Sequence, residues 1–270
     1  GYHLVECPDI LRQEDLTAAL TTRWMGRSLQ VYDVTDSTNV RAKQQAEEGA
    51  SEGHLVMADM QSAGRGSRGR SWDSPRGTGI FMSLVLRPQL MPQQAAMVTL
   101  TAAYSIVSVL REDYGVAAGI KWPNDIILHG HKLCGILCES VCFGSSMDIV
   151  CGIGVNLAQT AEFFEKANIP HGGSVEMLTG VTINDRDKLA EDIAERLYSY
   201  SRSGFESVRE KYVKRCLTVG KKIRIIENGS EREAFAEGIA PNGFLVCSDE
   251  NGRFEVNSGE VSVRGLMDYI

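Results

Sequence analysis

Short runs of alternating hydrophobicity are interleaved with longer runs of helical spacing, the pattern of a mixed α/β chain. Residues 9–25 place Ile10, Leu11, Leu16, Leu20 and Trp24 at the spacing of one short helix or two, ended near Gly26. Leu29–Val34 alternates as a strand. A helical stretch then runs from Ser37-Thr38-Asn39 to Glu48, with Gly49 at the stop. Leu55–Asp59 and Ile80–Leu86 read as strands. Gln93–Tyr114 is the strongest helix, with Met97, Leu100, Tyr104, Val107 and Leu110 on one face. Three strand-like runs follow, Ala118–Leu128, Lys132–Val141 and Asp148–Leu157, separated by turns at His129-Gly130-His131 and Gly144-Ser145-Ser146. Asn184-x-x-Asp187 resembles a helix start. Leu189, Ile193 and Leu197 continue that helix to a break at Ser199–Gly204, and Phe205–Leu217 forms a further amphipathic stretch.

From Val219 the period shortens. Lys222–Glu227, Glu233–Ile239, Gly243–Ser248, Arg253–Asn257 and Glu260–Arg264 are short strands, set apart by turn residues at Asn228-Gly229, Pro241-Asn242-Gly243 and Asn251-Gly252. Five short strands in so small a span predict a small β-barrel as a C-terminal domain.

Composition narrows the class. The 270 residues are 43% hydrophobic and 23% charged, as in an ordinary globular protein, and the formal net charge is −7. That balance argues against a broad nucleic-acid-binding face. Seven cysteines are scattered without a framework, which points to reduced thiols and a cytoplasmic setting. No apolar run approaches the roughly 18 residues of a membrane helix, so no membrane partner is expected. Cys134, Cys138 and Cys142 share one strand face among Ile, Leu and Val, and read as buried apolar cysteines. His129 and His131 flank a glycine in a turn and read as surface residues, with no third metal ligand evident.

Against this acidic background, Gln61–Trp72 (QSAGRGSRGRSW) holds three glycines, three arginines and no acid. Such a loop collects anions, and its glycines let them approach backbone N–H groups. Gly64-x-Gly66-x-x-Gly69 matches the spacing of a dinucleotide fingerprint. However, it runs into Pro75, Gly77 and Gly79 instead of the helix that fingerprint requires. In Lys121-Trp122-Pro123-Asn124-Asp125, Pro123 interrupts a strand pattern and implies an edge or bulge. The flanking lysine and aspartate suit a phosphate and Mg²⁺, although an ordinary turn is the plainer alternative. Lys132 opens the apolar run KLCGIL. It is either a strand end in water or a cation that neutralises a reacting carboxylate or phosphate, with Gly135 admitting ligand to the backbone. Gly152-Ile153-Gly154-Val155-Asn156 repeats that choice between a plain bulge and a ligand site. Ser37-Thr38-Asn39 is either a helix cap or a set of hydroxyls and N–H groups aimed at a ligand.

Together these segments resemble the biotin protein ligases. The resemblance spans roughly Leu29–Ile270 and rests on five motifs in order: Asp36-Ser37-Thr38-Asn39, Gln61 through Pro75, Lys121 through Asp125, Lys132-Leu133-Cys134-Gly135-Ile136-Leu137, and Gly152-x-Gly154-x-Asn156. It implies an α/β (α+β) fold of the class II aminoacyl-tRNA synthetase-like group, with a mixed β-sheet and a C-terminal SH3-like β-barrel. The implied parts are an N-terminal linker and helix (1–27), a catalytic domain (28–217) and the SH3-like domain (218–270). It further implies that biotin and MgATP give biotinyl-5′-AMP, and that a lysine of a biotin carboxyl carrier protein then takes the biotinyl group. ATP and Mg²⁺ serve as co-substrate and ion, biotin is the substrate, and no prosthetic group is implied. The reacting groups would be Lys132, Arg65, Arg68 and Asp125, with Asp125 the Mg²⁺ ligand. Biotin would be held by Ser37, Thr38, Asn39, Gln61, Gly64, Arg65, Gly66, Ser67, Lys132, Gly135 and Gly154. ATP would be held by Arg68, Arg70, Trp72 (stacked on adenine), Lys121, Asn124 and Asn156.

Two departures stand out. The family loop usually reads GRGRxGR, and here Ser67 replaces the second arginine, which predicts easier escape of the adenylate. Gly1-Tyr2-His3-Leu4, followed by Pro8-Asp9, looks like the end of a winged helix-turn-helix and its linker. The resemblance therefore implies a bifunctional ligase and repressor whose DNA-binding part lies outside this chain, and a homodimer. The competing readings are a lipoate or octanoate ligase, and a biotin-responsive regulator with weak ligase activity.

Overall fold

The computed structural model describes residues 10–88, 96–143, 146–227, 230–257 and 262–265. The wing-like segment at residues 1–9, the start of the long helix at Gln93, parts of the turns at 144–145 and 228–229, and Glu260 lie outside these. Nineteen elements follow in chain order. The first half comprises α1 (Gln13–Ala19), β1 (Leu29–Thr35), α2 (Thr38–Glu47), β2 (Leu55–Gln61), β3 (Gly79–Leu86), α3 (Ala96–Glu112), β4 (Gly119–Lys121), β5 (Asp125–Leu128), β6 (His131–Phe143) and β7 (Ser146–Asn156). Then come α4 (Ala161–Lys166), α5 (Val175–Thr179), α6 (Arg186–Ser203), α7 (Glu206–Arg215), β8 (Lys222–Glu227), β9 (Ser230–Ile239), β10 (Leu245–Asp249), β11 (Gly252–Val256) and β12 (Ser262–Gly265).

β1 to β7 form one sheet in the order β1-β2-β3-β7-β6-β5-β4. β1 and β2 run parallel, because α2 crosses between them; the remaining pairs are antiparallel. α2 covers one face through Ala42 and Ala46, which pack on Val56, Val85 and Val150. The other face is covered by α3, backed by α6 and α7.

α3 departs from the single apolar face expected of it. Every residue from Leu100 to Leu110 is buried, since the helix is enclosed by the sheet and two further helices. Its hydroxyl residues tolerate this by bonding back along the helix, as in Thr101 to the Met97 carbonyl (2.8 Å) and Ser105 to the Thr101 carbonyl (2.8 Å).

The 118–128 run is two strands. β4 and β5 pair as a hairpin, with Ile120 opposite Ile126 and a cis Trp122–Pro123 peptide at the bend. Pro123, read as marking an edge or a bulge, thus sits at a reversal of the chain beside β4, the edge strand of the sheet. The helix expected at Asn184 is capped one residue later: Asp185 accepts from the Lys188 N–H at 2.8 Å. It also runs through the predicted break to Ser203 before Gly204 adopts a positive φ of 74°. The short helices α4 and α5 carry too few turns to show a period.

β8 to β12 form a second, antiparallel sheet in the order β11-β10-β9-β8-β12. The five strands match those read from the sequence. This sheet meets the first around Trp122, which is 2% exposed and donates its indole N–H to the Gly243 carbonyl at 3.2 Å. Leu217 N–H to the Ile120 carbonyl (2.7 Å) and Trp122 N–H to Thr218 Oγ1 (3.0 Å) complete the joint.

Candidate functional site

The first wall of the site is the entry to α2. Ser37 is extended (φ −156°) and makes no side-chain cap. Asp36 instead accepts from the Ser37 N–H at 2.6 Å and pairs with Arg41 at 2.7 Å. The bond to Arg41 above all holds the Asp36 carboxyl below its ordinary range. This leaves Ser37, Thr38 and Asn39 on the wall of a cleft over the α2 face of the sheet. Gln61, at the end of β2, orients them: its Oε1 accepts from the Thr38 N–H (2.8 Å) and hydroxyl (3.1 Å). Its Nε2 donates to Ser74 Oγ (2.7 Å), and Ser74 donates to the Trp72 carbonyl (3.0 Å).

The arginine segment is a closed hairpin. Gly66 N–H donates to the Arg70 carbonyl (2.7 Å) and Trp72 N–H to the Gly64 carbonyl (2.9 Å), and Arg65 bridges Ser71. Ser67–Gly69 is a single 3-10 turn in which Arg68 takes φ 60°, a left-handed conformation costing about 1 kcal/mol. Arg65, Gly66 and Ser67 line the cleft. Arg68 and Arg70 are exposed and outside its wall. Gly64 is buried behind the wall, where a side chain would meet the Trp72 carbonyl.

Glycines set the cleft floor. A Cβ on Gly152 would overlap Asn39 Oδ1, and one on Gly154 would lie 2.5 Å from Trp72 Nε1. A Cβ on Gly135 would lie 2.9 Å from the same indole ring. Trp72 thus rests on the floor between β6 and β7. Its Nε1 is buried with no hydrogen-bond partner. With the indole there, the cleft keeps about 40 Å³ of free space, room for a few waters at most.

The far end is built by β5 and β6. Asn124 clamps β6, donating its amide to the Ile136 carbonyl (2.8 Å) and accepting the Ile136 N–H (3.0 Å). Lys132 Nζ lies 2.7 Å from Asp125 Oδ1 and 5.3 Å from the Trp72 ring centroid. Lys121 is buried at the end of β4 and does not reach the cleft wall, nor does Asn156. Asn156 donates to the Gly173 carbonyl (3.1 Å) and accepts from Gln159 (3.0 Å), so it fastens the segment after β7. The described residues contain no cluster of three His, Cys, Asp or Glu able to hold a metal. A single carboxylate already paired with a lysine suits an ion arriving with a phosphate ligand better than a resident one.

Two residues beneath the cleft escaped the sequence reading. Ser83, fully buried on β3, lies 2.8 Å from Thr38 Oγ1 and 2.6 Å from Asn39 Oδ1. Glu139 on β6 accepts from Asn39 (2.9 Å) and Lys43 (2.8 Å). A lone serine inside the apolar run IFMSLVL was the signal for the first. The expectation for the cysteines stands for Cys134, which is buried and whose thiol is pushed up by desolvation. His129 is exposed, whereas His131 is half-buried against the Gly172 carbonyl (3.0 Å).

A mixed sheet with a polar cleft over glycines, a cationic hairpin and a lysine at its end is the architecture of an acyl-activating ligase. Residues 31–156 match the Biotin/lipoate A/B protein ligase family. The chain is 36% identical to the biotin–acetyl-CoA-carboxylase ligase of Paracoccus denitrificans over 86% of this chain and 98% of that one. It is 32% identical to the bifunctional ligase/repressor BirA of Bacillus subtilis, over 97% of this chain and 82% of that protein. Its fold matches the biotin protein ligase of Aquifex aeolicus solved with biotin and ATP, with a TM-score of 0.72 and 26% identity over 88% of this chain and 99% of that one. The chain belongs to the biotin protein ligase family.

Proposed function

We propose that this protein uses ATP to activate biotin as biotinyl-5′-AMP and then transfers the biotinyl group to a lysine of a biotin carboxyl carrier protein. The observation that carries the reading is the cleft's polarity. Its wall joins the Thr38–Gln61 hydrogen-bonding set to the cations Arg65 and Lys132, over a glycine floor. A ligand with a neutral polar head and a carboxylate tail fits that lining. The relatives' names favour biotin over lipoate as that ligand.

In this reading Ser37, Thr38, Asn39 and Gln61 hold the ureido ring, and the Gly66 backbone closes over it, with Gly64 packed behind. Arg65 and Lys132 draw the biotin carboxylate toward the α-phosphate of ATP. Two anions must meet for the carboxylate to attack phosphorus and release pyrophosphate, so cations there lower the barrier. Asp125 accompanies MgATP as its protein carboxylate, and Lys132 then exchanges Asp125 for the phosphate. Arg68, Arg70 and Asn124 flank the nucleotide, while Lys121 and Asn156 act from behind the wall. In the second step the carrier's lysine nitrogen attacks the biotinyl carbonyl, AMP leaves, and the nitrogen loses a proton.

Residues 28–217 form the catalytic domain, residues 1–27 lead into it, and 218–270 form an SH3-like barrel. The protein acts in the cytoplasm as a homodimer, and any DNA contact belongs to a domain outside this chain. ATP-dependent labelling of a carrier fragment with biotin tests the function. Labelling that is equal with and without ATP, or whose initial rate is unchanged in Lys132→Ala, would sink it.

A further inference from the structure

A chain of hydrogen bonds runs from Glu139 to the hydroxyl of Thr38 on the cleft wall, and its donors and acceptors follow in turn from the Glu139 end. Glu139 is a carboxylate and can only accept. It is half-buried, and although desolvation pushes its carboxyl up, Lys43, Asn39 and the charge of Arg65 together hold it below the ordinary value, so it stays ionised. Facing it at 2.9 Å, the Asn39 side chain must present Nδ2, which also reaches the Leu137 carbonyl at 3.3 Å. Asn39 Oδ1 is thereby turned toward Ser83, 2.6 Å away, where it must accept the single Ser83 proton. Ser83 then has none to give Thr38, 2.8 Å away on its other side. The Thr38 proton goes to Gln61 Oε1 or Ser83 Oγ, both inside the protein, at 3.1 and 2.8 Å. The oxygen left facing the cleft is a pure acceptor.

We propose that Glu139 is a positioning residue that, through Asn39 and Ser83, fixes Thr38 Oγ1 as a hydrogen-bond acceptor and so selects a ligand carrying an N–H donor at that point. This rests on the biotin reading of the cleft, in which the donor is a ureido N–H. Gly152 belongs to the same device, because any side chain there would displace the Asn39 amide. A glutamine at 139 can donate as well as accept. Asn39 can then turn over, Ser83 is released to donate to Thr38, and the acceptor polarity is no longer set.

The test is steady-state carrier biotinylation by the full chain, with biotin binding measured alongside by calorimetry. Glu139→Gln is expected to raise KM for biotin about tenfold, the effect of one misdirected hydrogen bond, with kcat at saturating biotin changed less than about twofold. It should also weaken the preference for biotin over an analogue methylated on its ureido nitrogens. Lys43→Arg keeps a cation beside Glu139 and leaves the proton count as it is, and is expected to leave KM for biotin within about twofold. In a Ser83→Ala background, Glu139→Gln should no longer change KM, because the link to Thr38 is gone. An equal effect in both backgrounds, or an equal rise in Lys43→Arg, overturns the proposal. Should Glu139→Gln fail to fold, Ser83→Ala alone is expected to raise KM for biotin severalfold with kcat held, and an unchanged KM overturns it. Wild-type protein that binds no biotin overturns the function itself; wild-type and Glu139→Gln proteins that bind biotin equally overturn only this inference.

Discussion

Lys132 Nζ is held 2.7 Å from Asp125 Oδ1, and both side chains are largely shielded, at 23% and 14% exposure. Without ligand, the cation expected to meet the reacting phosphate is thus neutralised by the carboxylate expected to accompany the nucleotide's metal ion. The pairing gives a shielded lysine one partner to exchange for another.

Removing either half should separate binding from chemistry. Lys132→Ala is expected to lower the adenylation rate by about 10²–10³, the usual cost of a lost transition-state donor. Asp125→Asn removes the carboxylate that Lys132 pairs with, and should raise the Mg²⁺ concentration needed for half-maximal rate. Pyrophosphate release, followed against Mg²⁺, reads both, and an unchanged Mg²⁺ requirement would argue that Asp125 serves only to hold Lys132.

Trp72 fills the cleft, so ligand entry must move its indole off Gly135 and Gly154. Biotin addition is expected to change the intrinsic fluorescence, and Trp72→Phe should remove that change while Trp24 still reports. Gly154→Ala places a methyl where Nε1 now lies. It should displace the ring before any ligand is added, giving the wild-type protein's liganded spectrum in the unliganded variant.

Ser67 lines the cleft where the family loop usually carries an arginine. Ser67→Arg is expected to slow release of the adenylate severalfold by adding a charge-assisted bond. A filter-binding chase of labelled adenylate measures the rate, and no slowing would count against the expectation.

His54 sets an acid limit on stability. Its ring is buried between Ser28 Oγ, 2.7 Å from Nδ1, and the Gln45 side chain at Nε2. Desolvation lowers its pKa from 6.5. The unfolded chain therefore binds the proton more readily than the folded one. Stability is fully present above about pH 6.5 and is lost as pH falls from there through the lower folded value. Melting temperature should decline across that window and decline less in His54→Gln, whereas Asp36 and Glu139, also depressed, lose their contributions only at more acidic pH.

Much of this was legible in the chain. The strands around the cleft, the arginine segment, Lys132 and the paired glycines stand out because each breaks a local pattern: charge without acid, lysine before an apolar run, glycine inside a strand. The five C-terminal strands were set apart by their turn residues. What the sequence hid depends on contacts between distant segments. The enclosure of α3 on all sides is decided by α6 and α7 and not by its own period. The β4–β5 reversal looked like one strand because Trp122 and Pro123 sit between two β-prone runs. Ser83 and Glu139 lie 44 and 100 residues from Asn39, and no spacing rule connects them. The placement of Trp72 follows from where Gly135 and Gly154 leave room.

The indole of Trp122 ties the two sheets into one object. It belongs to a hairpin of the first sheet, yet its N–H bonds to Gly243, in a turn of the second. A cut near residue 217 would strand a large buried aromatic at an open surface and remove Thr218 from its backbone, at a cost of about 3–5 kcal/mol by analogy with truncating a core aromatic. The C-terminal sheet is therefore not interchangeable cargo. Shuffling it between relatives requires the donor and recipient hairpins to exchange together, so the two parts are expected to be inherited as a unit.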